Sequence, residues 1–264
     1  MSRLEVEYLR YWSLCERPFG PAAARFFFAA DPQRQAMTWI QHQVIKGQRL
    51  SLLVSGGGLG ATTLLKQVAT HAGFDDCAVE AIYTSGRQNS VDRVYKTLVS
   101  ALGMATQWDS AGRSVDAIKS AIDSARAQRL QPVWLLDEIG KHSLEAVLQL
   151  ARHGLRMSVV ATVTPSLLRR LNKAIGNRVP RIKLQTLSHD DTAQFITHSL
   201  QVARCQRDLF SDDAVAAIYQ ASGGRFRKIC QIADQSLILA AGEKLSQVTR
   251  REVETISGAS SRAA

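Results

Sequence analysis

From residue 31 to about residue 187, short apolar runs alternate with stretches whose apolar residues recur every third or fourth position. Residues 50–54, 78–84, 132–136 and 157–163 read as buried strands. Residues 31–47, 62–72, 90–102, 115–128, 143–152 and 165–174 carry the helical period; Asp31 followed by Pro32 forms a good helix start. Strands that alternate with helices predict an α/β fold, a mostly parallel sheet covered on both faces. From His189 onward the strand pattern stops. Four helical stretches remain, 189–203, 212–221, 225–241 and 249–256, with Ser188, Ser211 and Thr249 as caps and Gly223-Gly224 as a break. The expected organisation is an aromatic segment over 1–30 packing on the core, an α/β domain over 31–187, a small all-helical lid over 188–257 and a disordered tail over 258–264.

Composition changes this picture little. The 264 residues are 45% hydrophobic and 21% charged, as in an ordinary globular protein large enough for one big domain or a big and a small one. The N-terminus alternates charged with apolar residues, unlike a secretory signal, and no apolar run is long enough to span a membrane, so a cytoplasmic location is expected. Cys15, Cys77, Cys205 and Cys230 are scattered, without ligand spacing, and are expected as reduced packing thiols. The net charge of +10 calls for an acidic partner such as nucleic acid, anionic lipid or a phosphate ligand. It is densest over 166–183, where Arg169, Arg170, Lys173, Arg178, Arg181 and Lys183 occur without an acidic residue: a solvated helix face with a subunit contact, or a surface for DNA.

The first strand runs into Ser55-Gly-Gly-Gly-Leu-Gly60-Ala61-Thr62-Thr63, a glycine-rich turn that opens a helix. Such a turn converges backbone N–H groups on an anion, and the helix N-terminus adds unpaired donors. Against G-x-x-x-x-G-K-[ST], Gly60 and Thr62 are kept, Ser55 replaces the first glycine and Ala61 stands where the lysine belongs. The third strand ends in Asp137-Glu138. A phosphoryl-transfer site needs a phosphate cradle, a hydroxyl and a carboxylate for Mg²⁺, and a group that orients water. Ser55, Gly56, Gly57, Gly58, Leu59, Gly60, Ala61, Thr62 and Thr63 form the candidate cradle for ATP. Thr62 and Asp137 are the candidate Mg²⁺ partners, and Glu138 the water-orienting base, provided that a parallel sheet sets the two strands side by side. Gly56-x-Gly58-x-x-Ala61 also fits a dinucleotide fingerprint, but the second strand ends in Tyr83-Thr84-Ser85, with no carboxylate for a ribose.

The chain resembles the AAA+ ATPases of the ExeA, or general-secretion-pathway-A, type and the related transposition ATPases TniB, TnsC and MuB. The resemblance runs over about residues 8–256. Trp12-Ser-Leu-Cys-Glu-Arg-Pro-Phe19 and Arg25-Phe-Phe-Phe28 are similar to the family's opening segment, and Gly60-x-Thr-Thr-Leu-Leu65 to its phosphate loop. Leu135-Leu-Asp-Glu138 resembles its Walker B strand, and Val163-Thr-Pro165 stands where a sensor strand ends. Ala221-Ser-Gly-Gly224 with Arg227, and the stretch 249–253, resemble its lid. The resemblance implies a nucleotide-binding sheet with a helical lid, homo-oligomers, and ATP with Mg²⁺. It also implies Thr164 at the nucleotide, Arg227 at the γ-phosphate from the same subunit, and Arg178, or else Arg181, as a finger from a neighbour.

The missing lysine bears on mechanism. Charged hydrogen bonds contribute about 1.5–3 kcal/mol, so Ala61 is expected to weaken ATP binding by about tenfold to a few hundredfold and hydrolysis by more. Lys66 falls about 140° around the same helix and about 7.5 Å further along, pointing away from the phosphates. The expectation is an oligomerising, nucleotide-dependent switch or adaptor with weak or lost hydrolysis, acting on DNA or on a protein partner in a transposition or secretion complex. The alternative is a non-catalytic DNA-binding or scaffold protein that retains the fold.

Overall fold

The computed structural model describes residues 3–20, 26–70, 73–74, 77–104, 111–175, 178–205 and 207–262, with backbone alone at 3–6, 73–74, 111–114, 173–175 and 259–262. In chain order the elements are α1 (Arg3–Trp12), α2 (Asp31–Ile45), β1 (Leu50–Val54), α3 (Ala61–Ala69), β2 (Gly73–Phe74), β3 (Cys77–Ser85), α4 (Val91–Ala101), α5 (Ala111–Ala127), β4 (Gln131–Asp137), α6 (Lys141–Arg152), β5 (Ser158–Val163), α7 (Pro165–Ile175), β6 (Arg181–Lys183), α8 (His189–Val202), α9 (Asp212–Ser222), α10 (Phe226–Gly242) and α11 (Arg250–Arg262).

The strand order is β2-β3-β4-β5-β1-β6, parallel throughout except where β2 joins β3. The glycine-loop strand β1 and the acidic strand β4 are therefore not side by side, as the sequence reading supposed. Strand β5 lies between them, pairing Leu136 with Ala161 on one side and Leu53 with Thr162 on the other. Residues 181–183, read from sequence only as part of a basic stretch, form the edge strand β6, which pairs Leu52 with Arg181. Helix α5 starts at Ala111, ahead of the expected start at 115, and α11 continues through Arg262, so residues 258–262 are helical where a disordered tail was expected.

Two compact units emerge, residues 34–57 with 61–184, and residues 1–33 with 58–60 and 185–264. In the sheet unit, β4 is buried along nearly its whole length, and Trp134 is fully enclosed with its indole N–H donating to Thr84 at 2.8 Å. Val94, Tyr95, Leu98, Ile118, Ile122 and Val147 complete that core. Burying each such side chain contributes about 1.5–3 kcal/mol.

The other unit is helical, and the N-terminal aromatic residues belong to its core. Trp12, Phe19 and Leu14 cluster with Phe195, Phe210 and Leu237. The Trp12 indole N–H donates to the Leu237 carbonyl at 3.0 Å, and Arg17 pairs with Asp234. Ser188 caps α8 in a reciprocal box with Asp191. The four cysteines are free thiols, and no helix among the described residues is long and apolar enough to cross a membrane.

Candidate functional site

Chemistry-bearing side chains gather where β1, β3, β4 and β5 end. Ser55 continues the ladder, its N–H donating to the Val163 carbonyl at 2.9 Å, and its hydroxyl donates to the Gly56 carbonyl at 3.0 Å. The loop then turns through Gly58 and Gly60, with φ of +78° and +86°, angles that cost other residues about 1–2 kcal/mol. At Gly58 a Cβ would also sit 2.9 Å from the Arg227 Cβ, whereas at Gly57 it would meet nothing within 4 Å. Leu59 is buried, its carbonyl accepting from Gln33 at 3.2 Å. Ala61 opens α3, followed by Thr62 and Thr63.

The Thr62 hydroxyl donates to Asp137 Oδ2 at 2.7 Å. This contact spans the place of β5, and β5 itself contributes: the Thr162 hydroxyl donates to Asp137 Oδ1 at 2.7 Å and accepts the Glu138 N–H at 2.6 Å. The Tyr83 hydroxyl adds a third donor to Asp137, at 3.1 Å to Oδ2. Asp137 is thus a buried carboxyl group held by three hydroxyls, two of them at 2.7 Å. Burial, and then the Asp137 charge, push the Tyr83 phenol well above the ordinary tyrosine range.

Glu138 is held differently. Its φ of +57° is left-handed, a conformation that costs a non-glycine residue energy and clusters at functional sites. Its half-exposed carboxylate accepts from Nε and Nη2 of Arg87, the Nη2 contact at 2.6 Å. The turn that brings Arg87 there needs Gly86, whose N–H donates to the Asp137 carbonyl at 2.5 Å and whose place would not admit a Cβ, 2.8 Å from the Glu138 carbonyl oxygen. The Ser143 hydroxyl fastens the same turn from α6, donating to the Gly86 carbonyl at 3.1 Å.

The other candidate residues make different contacts. Thr164 is exposed and accepts the Leu167 N–H at 3.3 Å, so its hydroxyl caps α7. The exposed Arg227 donates its backbone N–H to the Gly58 carbonyl at 3.2 Å. Arg178 is exposed in the turn entering β6, at the end of the parallel sheet opposite the loop, out of reach of this chain's own Asp137. Arg181 lies on β6 and is engaged with Asn172 at 3.2 Å. Arg169 and Arg170 are exposed on α7, and the Lys173 side chain lies outside the described residues. Lys66 stands 5.7 Å from the centroid of the Tyr83 ring.

Sequence reasoning missed Tyr83, Arg87 and Thr162. Thr162 left a signal, a hydroxyl near the end of an otherwise apolar strand, and Arg87 a weaker one, a cation just past Ser85-Gly86.

Comparison with proteins of known structure identifies the fold. The chain superimposes on the Orc1 protein of Aeropyrum pernix in complex with DNA with a TM-score of 0.67, at 14% identity, covering 92% of this chain and 68% of that one. The fold is that of the AAA+ ATPases. A second AAA+ neighbour, the ADP form of the Aeropyrum pernix ORC2 protein, gives a TM-score of 0.62 at 12% identity, covering 88% and 69% of the two chains. In sequence the chain is similar to general secretion pathway protein A of Aeromonas hydrophila, 24% identical over 252 residues. The match takes in 88% of this chain and 45% of the relative, so the chain spans about half that protein's length. No protein-family model matches it. At these identities the structural likeness defines the AAA+ fold, and the chemistry has to be read from the residues themselves.

Proposed function

We propose that the chain is an AAA+ nucleotide-binding protein that binds ATP with Mg²⁺, assembles into homo-oligomers and works as a nucleotide-dependent switch or adaptor on DNA or a DNA-bound complex, with hydrolysis weak or absent. The observation that carries the reading is the 2.7 Å contact between the Thr62 hydroxyl, at the start of the helix behind the glycine loop, and the buried Asp137 carboxylate. A hydroxyl and one carboxylate, completed by phosphate oxygens and water, suit magnesium, which keeps much of its water shell. Among the described residues there is no cluster of three or more acidic, histidine or cysteine ligands that would favour a metal cage instead. Thr62 and Asp137 would hold the ion, which would supply charge neutralisation on the phosphates.

Residues 55–60 would cradle the phosphates with backbone N–H groups, with Ala61 and Thr63 bordering them. Arg227 would approach from the lid and Thr164 from the end of β5, and Arg178 would act on a neighbour's nucleotide. Arg178 is preferred over Arg181 because Asn172 already engages Arg181. Two features support binding over turnover: Ala61 in place of the lysine, and Arg87 on the Glu138 carboxylate, where a water-orienting base needs a free oxygen. The Orc1 neighbour solved with DNA and the ORC2 neighbour solved with ADP support this choice of ligands. The exposed Arg169 and Arg170, with Lys173, are the first candidate DNA contacts.

Isothermal titration with ATP and Mg²⁺ tests the reading. Saturable binding at or below millimolar concentration is expected, weakened by EDTA and by Thr62→Ala. No heat of binding at millimolar ATP would remove the nucleotide from the proposal.

A further inference from the structure

The end of the sheet away from the glycine loop gathers cations that the nucleotide reading leaves unused. The turns that enter three neighbouring strands each bring basic residues: Lys46 and Arg49 before β1, Arg126 and Arg129 before β4, and Arg152 and Arg156 before β5, joined by His153. All are exposed, and residues 45–49, 126–130 and 152–157 contain no aspartate or glutamate. The segment entering β3 does carry Asp75 and Asp76, which lie outside the described residues.

Topology puts these turns together. Strands β4, β5 and β1 are consecutive in the sheet. The Val159 N–H donates to the Arg49 carbonyl at 3.1 Å, and Arg126 Nη1 donates to the Arg156 carbonyl at 3.3 Å. The Gln131 amide bridges the Val44 carbonyl at 2.8 Å and the Ser158 hydroxyl at 3.3 Å.

Part of this basicity has a local explanation. Arg126 and Arg152 occupy the last turns of α5 and α6, where a cation complements the helix carbonyls. Arg49, Arg129 and Arg156 lie past the helix ends, and among the described residues none of the three forms an ion pair. Adjacent strands are about 4.8 Å apart, so the outer two of the three entry turns are separated by about 10 Å. Duplex DNA carries one negative charge per about 1.7 Å of axis, so a row of this length lies against several phosphates.

We propose that this strand-entry edge is a binding site for the phosphate backbone of duplex DNA, separate from the glycine loop and from the basic face of α7. Arg49, Arg129 and Arg156 provide one contact from each turn. Strand β1 advances about 3.3 Å per residue, so its five residues keep a backbone held here about 16 Å from the loop. The contacts carry charge without base readout, so binding is independent of sequence and depends steeply on salt.

The test is fluorescence anisotropy of a labelled duplex against the full chain over a range of salt, for the wild type and for Arg49→Gln, Arg129→Gln and Arg156→Gln combined. Each lost phosphate contact flattens the dependence of log affinity on log salt by about 1, so the triple variant is expected to lose about 3 units of slope. At about 0.1 M salt its affinity is expected to fall by roughly a hundredfold or more, while circular dichroism and ATP titration match the wild type. No duplex binding by the wild type at low salt, or an unchanged slope in the triple variant, overturns the proposal. So does loss of all binding in Arg169→Gln with Arg170→Gln while the triple variant binds normally, which assigns the duplex to α7. A triple variant that sediments as a smaller species yet binds DNA normally also overturns it, and makes this edge a contact between copies. Because ATP binding is read on the same samples, failure of the nucleotide reading shows separately.

Discussion

The two ends of the parallel sheet are built in opposite ways. Where the strands exit, α3, α4, α6 and α7 present their N-termini, the partially positive end of a helix, and the side chains set against them are the carboxylates Asp137 and Glu138. Where the strands enter, α2, α5 and α6 present C-termini, and the side chains are lysine and arginine. Dipole complementarity accounts for carboxylates at one end and cations at helix C-termini at the other, but not for the construction. At the exit, Asp137 is buried and fixed by three hydroxyls, an arrangement suited to gripping one small ligand in one geometry. At the entry the cations are exposed, and among the described residues Arg49, Arg129 and Arg156 form no ion pair, which suits a long, diffuse anion read by charge alone.

The largest expected effect comes from restoring the missing cation at the exit. Ala61→Lys should tighten ATP binding by about tenfold to a few hundredfold, from the 1.5–3 kcal/mol of a charged hydrogen bond, as read by calorimetry. Unchanged affinity would mean that the loop does not hold phosphate.

Tyr83 offers a spectroscopic view of the same end. Its phenol is raised by burial and by Asp137, so the folded state keeps a proton that the unfolded chain releases near pH 10. The unfolded chain then binds fewer protons, and this group's contribution to stability falls as pH rises above that value. In Asp137→Asn the ultraviolet-difference titration of Tyr83 is expected to move down toward the ordinary range. An unmoved midpoint would show that the carboxylate charge does not reach it.

The smallest effect on stability is expected at Arg87. Its pair with Glu138 is exposed, so Arg87→Ala should change stability by no more than about 0.5 kcal/mol. Phosphate release from ATP should nevertheless rise, because the Glu138 carboxylate is freed. A rate that stays flat would mean that Arg87 does not restrain Glu138.

How much was readable in advance depended on whether an element carried its own signal. Strands β1, β4 and β5 announce themselves as apolar runs because both faces of the sheet are covered. Strand β6 does not: Arg181-Ile-Lys183 is short and charged, and only its pairing with β1 makes it a strand. The Thr62 and Asp137 pair was legible from motif and order, but the partners come from two other stretches of chain, Tyr83 and Arg87 from β3 and the turn after it and Thr162 from β5, and only strand order sets them beside the carboxylates. The left-handed backbone at Glu138 has no sequence signature, since glutamate rarely adopts it. Lys66 was read as turned from the phosphates, and it stands over the Tyr83 ring.

Strand β6 has one more consequence. A parallel sheet that stops at an open margin offers unpaired backbone groups to any passing chain, and proteins blunt such margins with brevity, charge and proline. Here the last strand is three residues long, follows Pro180 and begins and ends with a cation. The molecule thus carries a guard against fibrillar stacking in the residues that close its sheet.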